Sequence, residues 1–322
     1  MISRYFAPLA AAGPSPLGLA DDAAVLVPEP GRRLVLTTDS LVAGVHFPVE
    51  EDPALVAAKL IGVNLSDLAA MGATPWAYTL SVAWPKDFEA GWVESFADGL
   101  GREQETYGIY LVGGDTVATP GPLTLCLTAL GSVEEGRELR RSAAQAGDDV
   151  YVSGTIGDAA LGLKVLKGGL GGLSKTHSEA LLARYRRPLA RVRLGQGLAG
   201  LAHGCIDISD GLVADMGHVA RASGCDAIID ADRVPFSDAA RAAIAIEPAL
   251  RETAITGGDD YELLFTAPPS AAAAMGELAA ELDLTLTAIG RIASREGDSG
   301  KVGVVDGNGR ELSLETGGYR HF

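Results

Sequence analysis

The sequence predicts two mixed α/β domains, an α+β arrangement in which strands and helices occur in both halves of the chain. Segments such as WAYTLSVAW and DVYVSG are rich in aromatic and β-branched residues, which is typical of strands. The segments between them show helical periodicity. A charged stretch, EEGRELRRSAAQAGDD, interrupts this pattern at residues 134–149, and the length of 322 residues suits two domains. We therefore expect domains over residues 1–136 and 137–322.

The composition indicates a folded protein and argues against a membrane-spanning or nucleic-acid-binding one. With 47% hydrophobic and 21% charged residues the chain is expected to fold, and no apolar run approaches the roughly 20 residues that span a bilayer. The amino-terminal segment MISRYFAPLAAAGPSP suits a first helix better than a secretory signal, so we expect a cytoplasmic protein without a membrane partner. The net charge of −16 argues against nonspecific binding to nucleic acid.

The three cysteines, Cys126, Cys205 and Cys225, are odd in number and form no CxxC pair. This pattern indicates neither a disulfide framework nor a zinc site. We therefore expect three buried thiols.

The first half contains one long predicted helix, DPALVAAKLIGVNLSDLAAMG. Asp52 is the expected N-cap, Pro53 the first helical residue, and Gly72 the carboxyl-terminal stop. WAYTLSVAW, IYLVGGDT and LTLCLTALGSV are expected strands, and DFEAGWVESFADGLGREQETYG an expected helix.

The second half is predicted to open with the strand DVYVSG and to continue through helical stretches to CIDISD. GLVADMGHVARASG is an expected helix that ends at Gly224. GGDDYELLFTA predicts a turn and a strand, and AAAAMGELAAELDL an amphipathic helix.

Carboxylates recur beside glycine, serine or threonine, mostly after strand-like runs. Oxygen ligands of this kind, without Cys or His, suit Mg²⁺. Any one of these aspartates could simply cap a helix or order a turn. Together they indicate a metal-binding site. The clusters contain Asp21 and Asp22, Asp39, Asp67, Asp115, and Asp207 with Asp210.

The segment CIDISDGL is unusual because it places acids within an apolar run. In an extended strand Ile206 and Ile208 point to one face, and Asp207 and Ser209 to the other. A buried carboxylate needs a partner, so this pattern predicts a bound cation, a hydrogen-bonding helix start, or both, near Asp210.

Two glycine patterns resemble nucleotide motifs but lack their context. GQGLAG at residues 195–200 follows an arginine-rich helical stretch and not a strand, which disfavours a dinucleotide site. KGGLGGLSK lacks the Walker order of glycine, lysine and serine or threonine, so the chain has no P-loop and this segment is an expected surface loop.

A few further residues allow two interpretations each. His46 is either a ligand contact or a structural histidine, and Tyr107 either a core residue or a nucleotide contact. Arg140 and Arg141 are either phosphate ligands with fork geometry or solvated charges at the domain boundary.

TTDSLVAGVHF, VNLSDLAAMGATP, GGDT, IDISDGL and GGDDYEL, in this order and spacing, closely resemble the thiamine-monophosphate kinase family. The resemblance runs from about residue 20 to the carboxyl terminus. It implies the fold shared with aminoimidazole ribonucleotide synthetase and selenophosphate synthetase. The amino-terminal domain is then an ATP- and Mg²⁺-binding domain whose sheet pairs in a homodimer.

The resemblance also implies roles for individual residues. Ligands of several Mg²⁺ ions are expected at Asp22, Thr37, Thr38, Asp39, Asp67, Asp115, Asp207 and Asp210. ATP contacts are expected from Tyr107, Gly114, Asp115, Arg141 and Ser209, and thiamine monophosphate contacts from His46, Asp259 and Thr316. Asp259 stands where the family usually has glutamate, and Thr316 where it usually has an aromatic residue.

The expected reaction is ATP-dependent phosphorylation of thiamine monophosphate to thiamine diphosphate. A phosphate acceptor already carries an oxyanion at neutral pH, so no residue is expected to act as a general base. Two alternatives stay open: an ATP-dependent synthetase of the same fold, and a noncatalytic maturation or metal-binding module. The segment SPLGLADD lacks the cysteine that selenophosphate synthetases usually carry there.

Overall fold

A computed structural model describes residues 1–15, 19–294, 300–314 and 318 of the chain. It divides into two compact units. Unit 1 contains Met1–Leu68 and Ala73–Gly136, and unit 2 contains Ala69–Gly72 and Arg137–Phe322. Apart from the short Ala69–Gly72 segment, the chain passes from unit 1 to unit 2 after Gly136, within the charged stretch of the sequence.

Unit 1 combines one mixed sheet with helices. It opens with a short π-helical turn, Ile2–Phe6, at the position of the expected first helix. Its other elements are α1 (Ala7–Ala10), β1 (Arg32–Val42), α2 (Pro53–Ala70), β2 (Thr74–Pro85), α3 (Ala90–Tyr107), β3 (Tyr110–Thr119) and β4 (Thr124–Glu134).

Helix α2 begins and ends as its sequence predicts. Asp52 Oδ1 accepts a hydrogen bond from the N–H of Ala54 over 2.8 Å, and Gly72 adopts a φ of 70° just beyond the last turn. By length and composition alone α2 could cross a membrane, but 78% of it is buried in the protein, as in a core helix.

The sheet of unit 1 has the strand order β1-β4-β2-β3. β4 runs antiparallel to both of its neighbours, and β3 lies parallel to β2 at one edge. Helices α2 and α3 pack on one face, where Tyr78 Oη donates to Gln104 Oε1 over 2.9 Å. On the opposite face the apolar side chains of Leu34 and Leu36 are 52% and 66% exposed.

Unit 2 contains a larger, mostly antiparallel sheet with the order β10-β7-β9-β5-β8-β6. Its strands are β5 (Asp149–Ser153), β6 (Cys205–Asp207), β7 (Asp226–Asp230), β8 (Leu263–Ala267), β9 (Leu286–Ala293) and β10 (Val302–Val305). Its helices are α4 (Asp158–Leu166), α5 (Lys175–Arg186), α6 (Val192–Leu198), α7 (Leu212–Ser223), α8 (Asp238–Ile246), α9 (Leu250–Thr256) and α10 (Ala272–Leu282). Two mixed α/β units are thus confirmed.

The segment CIDISDGL differs from the expected extended strand. Only residues 205–207 form β6, and Ile206, Asp207 and Ile208 are all at most 5% exposed. The strand stops because the backbone of the next residues turns toward the buried carboxylate of Asp215, which collects their N–H groups. The strand therefore ends at Asp207, three residues before Asp210, which was expected at its end.

The structure shows where the two glycine patterns and the three cysteines lie. Part of GQGLAG lies in α6, in agreement with the helical interpretation, and KGGLGGLSK connects α4 to α5. Cys205 and Cys225 are buried, as expected. Cys126 is only partly buried, which corrects the expectation for this residue, since it lies on the sheet face that carries Leu34 and Leu36.

Candidate active site

Strand β1 and helix α2 bring three of the expected metal ligands together in unit 1. Thr37 and Asp39 point to the helix-covered face of the sheet. The Thr37 hydroxyl donates a short hydrogen bond to Asp67 Oδ2. The Asp39 N–H donates to Asn64 Oδ1 over 3.1 Å, and Asn64 Nδ2 in turn donates to the Leu60 carbonyl over 2.9 Å. The fully buried Asn64 thus ties the backbone of Asp39 to α2.

The electrostatics of this cluster are those of two acids held close together. Burial, and secondarily the negative charge of Asp67, raise the pKa of Asp39 from 3.8 to about 6. The donor atoms are carboxylate and hydroxyl oxygens, the ligands that Mg²⁺ prefers. The residues therefore fit a divalent cation, which would offset the repulsion between the two carboxylates.

Thr38 lies apart from this cluster because side chains alternate along a strand. Its hydroxyl donates to the Leu127 carbonyl over 3.1 Å and accepts a hydrogen bond from Thr128 Oγ1 over 3.0 Å. These partners place it on the opposite face of the sheet. The structure therefore groups Thr37, Asp39 and Asp67 and separates the Thr38 side chain from them.

A second group of expected residues lines a cleft of about 160 Å³ in unit 1. Asp22, Gly114 and Asp115 lie there beside an apolar wall that includes Phe6 and Leu80. Gly114 is required by space, since a Cβ at this position would lie 1.9 Å from the Leu80 carbonyl oxygen. The cleft combines acids with an apolar surface, a combination suited to a ligand with a charged and a flat part.

His46 and Tyr107 lie elsewhere in unit 1. The N–H of Val42 donates to His46 Nδ1 over 3.0 Å, so a neutral His46 carries its proton on Nε2. Tyr107 is the last residue of α3 and is half-buried. Among the described residues, the lining of the 160 Å³ cleft includes neither of them.

In unit 2, the loop after β6 is organised by one buried carboxylate. Asp215 Oδ2 accepts hydrogen bonds from the N–H groups of Ser209, Asp210 and Gly211 over 3.1, 3.0 and 3.1 Å. Burial raises the pKa of Asp215 to about 7, against the opposing effect of these bonds. The loop thus presents Ser209 and Asp210, while Asp207 is buried at the end of β6.

Arg141 lies beside α7, the helix that follows this loop. It begins a 3₁₀ turn, Arg141–Ala143, and its carbonyl accepts a hydrogen bond from Ser223 Oγ of α7 over 3.0 Å. Burial and the charges of Arg221 and Arg141 lower the pKa of His218, whereas Asp210 raises it. One face of α7 therefore lies near both Arg141 and Asp210.

Asp210, Asp215 and His218 each offer a ligand atom, and these atoms lie within 4.8 Å of one another. Asp215 Oδ2, however, already receives three backbone N–H groups. This geometry identifies Asp215 as the support of the loop and leaves Asp210 as its metal-ligand candidate.

Asp259 lies beside this loop. Its N–H donates to the Ser209 carbonyl over 2.9 Å, and the N–H of Tyr261 donates to the Ile208 carbonyl over 2.8 Å. The structure thus brings Asp259 together with Ser209 and Asp210. Thr316, the other expected substrate residue of unit 2, lies outside the described residues.

Two buried acids anchor the segment that carries Asp259. Asp260 accepts hydrogen bonds from the N–H groups of Gly157 and Ala159 at the start of α4, over 2.6 and 3.3 Å. Glu262, fully buried, forms ion pairs with Arg184 at 2.7 Å and Arg191 at 2.5 Å. A buried carboxylate with two guanidinium partners is expensive to disturb, so the segment is held firmly.

Sequence reasoning did not assign roles to Asn64, Asp215, Asp260 and Glu262. Asn64 had a signal, because it shares a helical face with Asp67 three residues later. The sequence signal for Asp215 was weaker: it is an acid at an apolar position of an amphipathic helix. Nothing in the local sequence distinguished Asp260 from its neighbour Asp259.

Comparison with known protein families gives a match in each unit. Residues 20–133 match the family model described as AIR synthase related protein, N-terminal domain. Residues 145–303 match the model of the corresponding C-terminal domain. The two matches cover most of both units.

Individual relatives cover nearly the whole chain. The thiamine-monophosphate kinase of Escherichia coli is 43% identical over 307 residues, which are 95% of this chain and 92% of the relative. The crystal structure of thiamine-monophosphate kinase from Stenotrophomonas maltophilia superposes with a TM-score of 0.83 at 44% identity, covering 93% of this chain and 92% of that one. AaThiL complexed with AMPPCP and TMP gives a TM-score of 0.80 at 35% identity, with 94% and 91% covered.

Proposed function

The chain belongs to the thiamine-monophosphate kinase family within the AIR synthase related proteins, and we propose that it transfers the terminal phosphoryl group of ATP in line to the phosphate of thiamine monophosphate. The products are thiamine diphosphate and ADP. The observation that carries this proposal is the 35% identity to AaThiL, whose complex contains AMPPCP and TMP. AMPPCP stands in for ATP, with a carbon in place of the oxygen that links the last two phosphates.

Several Mg²⁺ ions are proposed as cofactors. In unit 1 the Thr37, Asp39 and Asp67 cluster and the acids of the cleft, Asp22 and Asp115, are the candidate ligands. In unit 2 they are Asp207 and Asp210. Thr38 has the least support, because its side chain lies on the opposite face of the sheet from Thr37. Bound Mg²⁺ neutralises phosphate charge during transfer.

Residues of each unit are proposed to contact ATP. Gly114 and Asp115 line the cleft of unit 1, where glycine is required because the Leu80 carbonyl occupies the space that a Cβ would need. In unit 2, Ser209 adjoins Asp210 on the loop that Asp215 supports. Arg141 lies beside α7, where its charge lowers the pKa of His218. Tyr107, His46 and Thr316 remain proposals that rest on the family resemblance. A guanidinium and exposed backbone groups are suitable partners for phosphate oxygens.

No general base is proposed, because the acceptor is a phosphate and not a hydroxyl group. A hydroxyl acceptor must lose a proton during attack, whereas a phosphate monoester already carries a nucleophilic oxyanion. Two anions must instead be brought close together against their repulsion. The candidate residues of the two units, mostly aspartates with one arginine, are suited to cation binding and not to proton transfer.

The test follows both possible acceptors by phosphorus NMR, with Mg²⁺ and ATP present. Thiamine monophosphate is expected to give thiamine diphosphate and ADP, and free thiamine to give no phosphorylated product. Equal or faster turnover of free thiamine would contradict the proposal. ATP binding by calorimetry without ADP release in the presence of thiamine monophosphate would instead favour the noncatalytic alternative.

A homodimer joined through the sheets of unit 1, in a cytoplasmic enzyme, completes the proposal. Its support is the open face of that sheet, where Leu34, Leu36 and Val117 are between 48% and 66% exposed. Exposed apolar side chains on one sheet face are typical of an interaction surface.

A further inference from the structure

The segment around Asp260 has an unusual backbone. Asp259 and Tyr261 adopt left-handed conformations, with φ of 71° and 52°. A side chain with a Cβ is disfavoured there, and an aromatic residue is a genuine outlier. Among the described residues, Asp283 is the other non-glycine residue with positive φ, and it ends α10, a position where such a conformation is common.

Ordinary turn formation does not account for tyrosine at this position, since glycine or asparagine adopts the same conformation at lower cost. The conformation persists because the residues on either side of Tyr261 are fixed. Asp260 is held by the start of α4, and Glu262 by Arg184 and Arg191. Strain that is held by its surroundings is common at ligand sites.

The fixed residues point inward, and the strained residues do not. Asp260 and Glu262 are 2% and 0% exposed, whereas Asp259 and Tyr261 are only partly buried. The Tyr261 hydroxyl donates to Asp259 Oδ1 over 3.3 Å. Both residues also donate their backbone N–H groups to the loop that carries Ser209 and Asp210. Tyr261 is therefore a neighbour of the candidate site in unit 2.

We propose that Tyr261 is a specificity-determining residue for the acceptor: its ring contacts the flat, positively charged heteroaromatic part of thiamine monophosphate, and its hydroxyl orients the carboxylate of Asp259. This inference rests on the proposed function. An electron-rich phenol ring attracts a cationic heterocycle across its face. A carboxylate beside it accepts hydrogen bonds from an aminopyrimidine.

The test separates recognition from folding through the strain itself. Tyr261→Gly removes the ring and relieves the left-handed strain, so we expect no loss of thermal stability. The KM for thiamine monophosphate is expected to rise about tenfold, and the KM for ATP to stay unchanged. Asp283→Gly is the matched control, since it relieves the same kind of strain at α10 and is expected to alter neither KM. An unchanged KM for thiamine monophosphate in folded Tyr261→Gly overturns the proposal.

A second variant keeps the test decisive if the glycine variant folds poorly. Tyr261→Phe keeps the ring and removes only the hydroxyl, so it is expected to raise the KM for thiamine monophosphate by about threefold in the wild-type background. It should have no further effect in an Asp259→Ala background, because the hydroxyl acts through Asp259. Equal effects in both backgrounds, or no effect in either, contradict the proposal.

The two proposals fail in different ways. If wild-type protein forms no ADP with thiamine monophosphate, the proposed function is wrong whatever the variants do. If wild-type protein is active and the Tyr261 variants keep its KM values, only the inference about Tyr261 is wrong.

Discussion

Asp215 lies beneath the backbone of Asp210, whose N–H donates to Asp215 Oδ2 over 3.0 Å. The neighbouring N–H groups of Ser209 and Gly211 donate to the same oxygen. One buried side chain thus determines the path of the loop that carries a candidate metal ligand and a candidate ATP contact.

Replacing Asp215 tests this support directly. Asp215→Ala leaves three backbone N–H groups without their acceptor, so we expect a loss of about 1–3 kcal/mol in the free energy of unfolding and a lower kcat. Asp215→Asn keeps an acceptor oxygen and should recover most of both. Urea unfolding and steady-state kinetics measure the effects, with Asp238→Ala on the exposed face of α8 as control. Wild-type stability in Asp215→Ala would show that the three bonds contribute little.

The carboxylates proposed to bind Mg²⁺ are expected to act in turnover and not in folding. Asp67→Asn and Asp207→Asn each remove a negative charge while keeping the size of the side chain. We expect kcat to fall by about a hundredfold or more, with unchanged far-UV circular dichroism. Asp98→Asn, on the exposed face of α3, is the control. Near-normal turnover in both variants would contradict the metal assignment.

The raised pKa of Asp260 predicts that the stability of the fold depends on pH. Burial raises its pKa from 3.8 to about 8, although hydrogen bonds from Gly157 and Ala159 lower it. At pH values between about 4 and about 8, Asp260 is therefore protonated in the folded state and ionised in the unfolded state. The resulting stabilisation is complete below a pH of about 4 and is lost as the pH rises toward about 8.

Urea unfolding of wild type and Asp260→Asn at about pH 6 and about pH 8.5 measures this effect. The wild type is expected to lose more stability than Asp260→Asn between the two conditions, because the amide does not titrate. Parallel losses in both proteins would assign the pH dependence to other groups.

The proposed homodimer predicts a specific effect of charge on the open sheet face. Leu36 is 66% exposed in the single chain, and Leu36→Lys places a cation where apolar contact is proposed. We expect dimers for the wild type and monomers for this variant by light scattering at micromolar concentration. Ile246→Lys, an equally drastic change at a 50% exposed residue of α8, should remain dimeric. A monomeric wild type would contradict the proposal.

Local sequence signals predicted most elements of the fold. Asp52 and Gly72 delimit α2 as expected because capping involves neighbouring backbone groups only. The alternation of buried and partly buried residues along β4 likewise follows from the geometry of a single strand. At CIDISDGL the strand is shorter than expected, because a side chain farther along the chain redirects the backbone after Asp207.

The sequence by itself determined which chemistry is present: many aspartates, a phosphate-compatible arginine, and motifs of one kinase family. Tertiary structure decided which of these groups meet. It placed Thr37 beside Asp67 and Thr38 on the opposite face of the sheet. It also buried Asp260 as an anchor while its neighbour Asp259 stayed partly exposed. The physical reason is that a buried carboxylate is stable only where the fold supplies donors, and these come from distant segments. Ser153, which donates to Glu262, lies 109 residues away in the sequence.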